Sequence, residues 1–92
     1  MSVESTSTPE KNENVAFRRL AAGEGGVLLH LETGEYHGIN EVGCLIWELV
    51  DGDRTTEQVA VALRDGVEDP PDDLLGVVVS FLTSLEERDL VR

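Results

Sequence analysis

The chain has 92 residues, 19 of them acidic and seven basic, for a formal charge of −12. That length supports one small domain with a marginal core, and the charge favours cationic partners over nucleic acid, whose affinity rests on Lys and Arg contacts to phosphate. No run approaches the roughly 18–20 apolar residues of a membrane-spanning helix. The opening MSVESTSTPEKNEN lacks the apolar segment of a secretory signal, and the single Cys44 excludes an internal disulfide and suits a reducing, cytoplasmic setting.

In chain order, residues 1–14 are rich in Ser, Thr, Glu and Asn and read as a disordered tail, leaving 15–92 as the folded domain. Residues 15–21 form a first strand with Val15, Phe17 and Arg19 on one face, and Glu24-Gly25-Gly26 turns the chain. Residues 27–32 and 35–39 then make a hairpin around Thr33-Gly34. A two-residue loop sets Leu31 opposite Tyr36 and His30 opposite His37, with Leu29, Leu31 and Tyr36 on the buried face. A bulge at Gly34 would change that register.

Asn40 is a suitable N-cap for a helix to about Val50, carrying the stripe Val42, Leu45, Ile46 and Leu49. Thr55 and Gln58 match a capping box for a second helix that turns Val59, Ala62 and Leu63 inward and closes at Gly66. Pro70 and Pro71 open a third helix, with Asp72 and Asp73 near its positive end, running to about Arg88. The expected architecture is α+β and winged-helix-like, a three-stranded antiparallel sheet followed by three helices.

Two features bear on function. The strand over 35–39 has no later strand to pair with, so one of its edges is open. In the third helix, Leu74, Leu75, Val77, Val78 and Val79 cover most of the circumference. One small core accommodates the stripe Leu74, Val78, Phe81, Leu82 and Leu85 but leaves Leu75 and Val79 on a second face. Leaving such side chains in water forgoes roughly 1.5–3 kcal/mol each. Burial of the helix on both sides, a homodimer, or a partner-binding face each account for this surplus.

The remaining candidates read as structure. His30 and His37 with Glu32 and Glu35 fit a solvated polar face better than a zinc site. Cys44 reads as a small buried side chain, and Trp47 as core. Tyr36 is expected to put its ring under the hairpin while its backbone pairs with a ligand. No nucleophile with a base, metal set or phosphate loop marks an enzyme, and no cofactor is expected.

The tract TGEYHGINEVGCLIWELVDG, followed by TTEQVAVAL and VVSFLTSLEERDLV, resembles the PqqD-type peptide-binding domain, or RiPP recognition element, from Val15 to Arg92. As a stand-alone domain it looks most like the B1 proteins of lasso-peptide clusters. The resemblance implies capture of a precursor's leader segment as a strand added to the third strand. It further implies delivery to a leader protease of the B2 type and a macrocyclase. The implied site is the strand Glu35, Tyr36, His37, Gly38 and Ile39 with a helix wall drawn from Leu74, Leu75, Val78, Val79 and Leu82. His37 stands where relatives often carry an aromatic or apolar residue. The acids Glu35, Glu68, Asp69, Asp72 and Asp73 predict Lys or Arg flanking the leader's anchors. The alternative is a winged-helix regulatory or dimerisation domain, against which the scattering of the basic residues counts.

Overall fold

The computed structural model describes residues 6–21, 23–67 and 69–92. Three strands come first, β1 (Val15–Arg19), β2 (Gly26–His30) and β3 (Tyr36–Ile39), then three helices, α1 (Glu41–Leu49), α2 (Thr56–Gly66) and α3 (Leu74–Glu87). The sheet is antiparallel in the order β1-β2-β3, as the strand pattern of the sequence implies.

The hairpin differs from expectation in two ways. Leu29 opposes Tyr36 and Leu28 opposes His37, while the amide of His30 donates to the carbonyl of Glu35 at 3.0 Å. The connection is therefore residues 31–34, four residues long, and the register moves by two. Gly34, at φ +75°, donates back to the carbonyl of His30 at 2.8 Å. A shift of two preserves which side chains share a face, but the helices lie on the other side. Leu28 and His30 are buried, whereas Leu31 and Tyr36 are 59% and 74% exposed.

The reason lies in β1. Phe17 sits opposite Leu28 and Val15 opposite His30, and the Phe17 ring lies 6.3 Å from the buried Trp47 of α1. That aromatic contact fixes the inward face of the sheet. His30 tolerates burial because its Nε2 lies 3.3 Å from the Asp89 carboxylate and its Nδ1 accepts from the Glu32 amide. It is consequently neither solvated nor set opposite His37.

The helices follow their local signals. Asn40 caps α1 by accepting from the Gly43 amide at 2.8 Å. Thr55 and Gln58 form the reciprocal capping box of α2. For α3 the cap is Asp73, which accepts from the Gly76 amide at 3.1 Å, so the two prolines precede the helix rather than opening it. Ile46, Trp47, Val50, Val59, Leu63, Leu74, Val78, Leu82 and Leu85 build the core with Leu28, Leu90 and Val91. Cys44 is also buried, and burial pushes its thiol up, which favours the protonated form.

Residues 6–14 are not a free tail. The Glu10 and Arg92 backbones exchange hydrogen bonds of 2.9 and 2.7 Å, and Lys11 bridges to Val91. The amides of Gly52 and Thr56 donate to the carbonyls of Pro9 and Ser7. Asn12 is buried and donates to the Asp89 carbonyl at 2.7 Å. Main-chain pairing of this kind leaves no pattern in side-chain composition, which is why the polar sequence conceals it. Asn12→Ala is expected to cost about 1 kcal/mol by leaving the part-buried Asp89 carbonyl without its donor; a shift in the urea midpoint measures it, and an unchanged midpoint would contradict this role for Asn12.

Candidate functional site

The site begins with an edge. β3 pairs with β2 on one side only, and among the described residues no strand covers the other. Antiparallel backbones point their N–H and C=O groups alternately to the two sides. Because the Glu35 carbonyl bonds to His30 in β2, alternation turns His37 and Ile39 toward β2 as well. The backbone groups of Tyr36 and Gly38 consequently point to the open side. The amide of Leu31 donates to the carbonyl of Asn14, which fits the same alternation by sending the odd-numbered residues of β2 to the β1 side.

Beside this edge runs one flank of α3. The guanidinium of Arg88 donates to His37 Nδ1 at 3.0 Å. A Cβ at Gly43 would sit 3.0 Å from the Phe81 ring and 3.1 Å from Ile39, so α3 and the end of β3 both close on that glycine. At 3.6 residues per turn, Val77, Phe81, Ser84 and Arg88 share this flank. Val77 is 41% exposed and Phe81 and Ser84 are half-buried.

Of the expected helix wall, Leu74, Val78 and Leu82 are buried in the core and back the wall without forming its surface. Leu75 and Val79 are half-buried on the flank turned away from β3. The apolar surplus of α3 thus reaches the β3 side through Val77 and Phe81. The sequence holds a signal for this choice, since Arg88 lies at helical spacing from Phe81 and Ser84, but only the Arg88 contact to His37 selects the flank.

Electrostatics around the edge are local. Arginine can only donate, so His37 Nδ1 is the acceptor in that contact, and Nε2 of the same ring lies 3.7 Å from the Glu35 carboxylate. Arg19, at the far end of the sheet, pairs with Glu41 and Glu48 of α1. Asp69, Asp72 and Asp73 are exposed near the start of α3, at the end opposite Arg88; Glu68 lies outside the described residues. No group of three or more His, Cys, Asp or Glu side chains among the described residues is placed to hold a metal, and no helix there is long and apolar enough to cross a membrane.

The family model described as Coenzyme PQQ synthesis protein D (PqqD) matches residues 25–91. The chain belongs to the PqqD family. Its fold is similar to that of TbiB1, solved in complex with the TbiA(beta) leader peptide, at 25% identity and a TM-score of 0.75, covering 90% of this chain and 94% of that one. A lasso peptide synthetase B1 complexed with the leader peptide matches at 22% identity and a TM-score of 0.75, covering 94% of this chain and 99% of that one. The PqqD truncation of Methylobacterium extorquens PqqCD, described as a functional and stand-alone RiPP recognition element, matches at 20% identity and a TM-score of 0.79, covering 99% and 95%. No curated protein sequence matches the chain. The PqqD match starts at Gly25, so it includes the hairpin and all three helices but excludes β1.

Proposed function

We propose that this PqqD-family domain binds the leader segment of a ribosomally made precursor peptide. The leader adds as a strand to the open edge of β3, beside the α3 flank of Val77, Phe81 and Ser84. The observation that carries this reading is the outward pair of backbone sites at Tyr36 and Gly38, without a strand partner among the described residues, next to a partly exposed α3 flank carrying Val77 and Phe81. Strand addition draws affinity from main-chain bonds and specificity from pockets for alternate side chains. Each bond nets only about 0.5–1.5 kcal/mol, so apolar anchors on the α3 flank must add to them. The leader complexes of the similar B1 proteins support the same class of guest.

In this reading the domain is a non-catalytic cytoplasmic carrier that presents the leader to separate processing enzymes, a B2-type protease and a macrocyclase. Glu35, Tyr36, His37, Gly38 and Ile39 supply the receiving strand, and Leu74, Val78 and Leu82 hold the α3 wall in place from behind.

Amide hydrogen exchange with a synthetic leader peptide of a lasso-type precursor tests the proposal. Saturable binding should protect the Tyr36 and Gly38 amides, while that of His37 is protected with or without peptide. An absence of binding, or protection elsewhere alone, would overturn it. Acids at Glu35, Asp69, Asp72 and Asp73 favour a leader flanked by Lys or Arg, so raising salt from 0.05 to 0.5 M (about a threefold shorter Debye length) should weaken binding. Salt-independent affinity would remove the electrostatic part of the proposal.

A further inference from the structure

The sheet has a second face, and it is apolar. Ala16, Leu29 and Tyr36 lie in one cross-strand row, and Arg18, Val27 and Gly38 in the next. Both rows point away from the helices. From these rows Ala16, Arg18, Val27, Leu29 and Tyr36, together with Phe17, line an open hollow of about 350 Å³. Tyr36 is 74% exposed on this face, although sequence reasoning puts its ring in the core. Gly38 contributes no side chain, and a Cβ built there meets nothing within 4 Å. Beside Val27 on the β3 side, Gly38 therefore leaves a notch next to the hollow, between Tyr36 and the turn into α1.

Resting on the strand-addition reading above, we infer that the captured leader is read on both faces of the sheet, with an outward-facing large apolar side chain opposite Gly38 packing through this notch against Val27, Leu29 and the Tyr36 ring. The pleat requires the alternation. An added strand places the side chains opposite His37 and Ile39 toward α3, and those opposite Tyr36 and Gly38 on the outer face. The outer rows of β1, β2 and β3 then continue into the guest without a break. Neighbouring strands lie about 4.8 Å apart, so a residue opposite Gly38 has its Cα roughly 10 Å from that of Val27. A Leu, Met or Phe side chain leaning over a glycine spans most of that gap, whereas any larger residue at position 38 would block it. Chemistry selects an apolar guest because Val27, Leu29 and Tyr36 present carbon to the notch, and Arg18 stands two strands away from it. The specificity predicted for the leader thus alternates, with apolar anchors on the α3 side and one large apolar residue between them on the outer side.

Gly38→Val tests this directly. It keeps the backbone N–H of position 38, sits in open space and suits a strand, so stability should not fall while the notch is filled. Tyr36→Ser removes one wall from an exposed position. Each variant should weaken binding of the fluorescein-labelled leader roughly tenfold to a hundredfold, the worth of one buried apolar side chain. A leader with its outward apolar residue changed to Ser should lose affinity for the wild type by a similar factor and lose little further with Gly38→Val. Unchanged leader affinity in both variants, with wild type binding normally, would overturn the two-faced reading and leave edge capture standing. Failure of the wild type to bind would overturn both, and the two failures are therefore distinguishable. Urea unfolding of each variant separates lost binding from lost fold.

Discussion

Proline at Gly38 should weaken leader capture by roughly 30-fold or more in a domain that still folds, whereas proline at His37, one residue away, should unfold it. The difference follows from the alternation of the β3 backbone. Gly38 aims its N–H at the open edge, and proline is tolerated in edge strands where that group faces outward. The substitution deletes one main-chain donor and puts the ring Cδ where a guest carbonyl must approach. A lost bond and an unsatisfied carbonyl together amount to about 2–4 kcal/mol, or roughly 30-fold or more in Kd. His37 turns its N–H to β2 opposite Leu28, and Leu28 is fully buried. Proline there removes a ladder bond in the middle of the hairpin and leaves a buried acceptor unpaired. Circular dichroism and leader titration on both variants check the pair. Equal stability of the two would show that β3 pairs in a different register.

Gly25→Ala should be the most destabilising single methyl in the chain. Gly25 has φ +83°, in the left-handed region that glycine alone occupies without cost. A Cβ there would lie 2.1 Å from the Ile39 carbonyl oxygen and 3.0 Å from the Asn40 Cα. These are backbone atoms, so no side chain can swing aside. Left-handed strain of about 1–3 kcal/mol and an overpacking cost of about 1–3 kcal/mol compare with a total stability on the order of 5–10 kcal/mol for a domain of this size. Ile39 and Asn40 are the junction of β3 with α1, so the strain falls where the receiving strand joins the helix that orients it. Thermal melts should place Gly25→Ala at least roughly 10 °C below wild type. By contrast, Gly34→Ala, at φ +75° but with open space around its Cβ, should cost only the backbone term. Equal melting temperatures for the two would refute the close approach at Gly25.

The contrast between what the residues disclose and what they conceal is instructive in β3. The open edge is legible, because residues 35–39 end a hairpin and run directly into the Asn40 cap. So are the capping box at Thr55 and the order of the six elements. The face of the hairpin is not. Leu28, Ile39 and Phe17 on one side nearly balance Val27, Leu29 and Tyr36 on the other, and only the contact of Phe17 with Trp47 breaks the tie. A two-residue error in loop length preserves parity, so the grouping of side chains survives while the inward face is inverted. For the α3 wall, five apolar residues in six positions leave the helix without a sequence-defined side. The contact between Arg88 and His37 supplies it, across 51 positions in the chain.

An edge that receives a guest strand also receives a second copy of itself, and exposed edges are the usual starting points of aggregation. The net charge of this molecule opposes such self-pairing. Two copies approaching through β3 bring together chains of −12 each, with Glu35 beside the edge, so the encounter is repulsive in dilute buffer. Concentrated salt removes the repulsion. The empty domain should then self-associate in sedimentation runs at high salt and stay monomeric at low salt, while leader at saturating concentration caps the edge and suppresses the association at high salt. The acidity that reads at first as a preference for cationic partners is in this sense also a colloidal safeguard, and the same dissolved salt that loosens the guest lets the host precipitate.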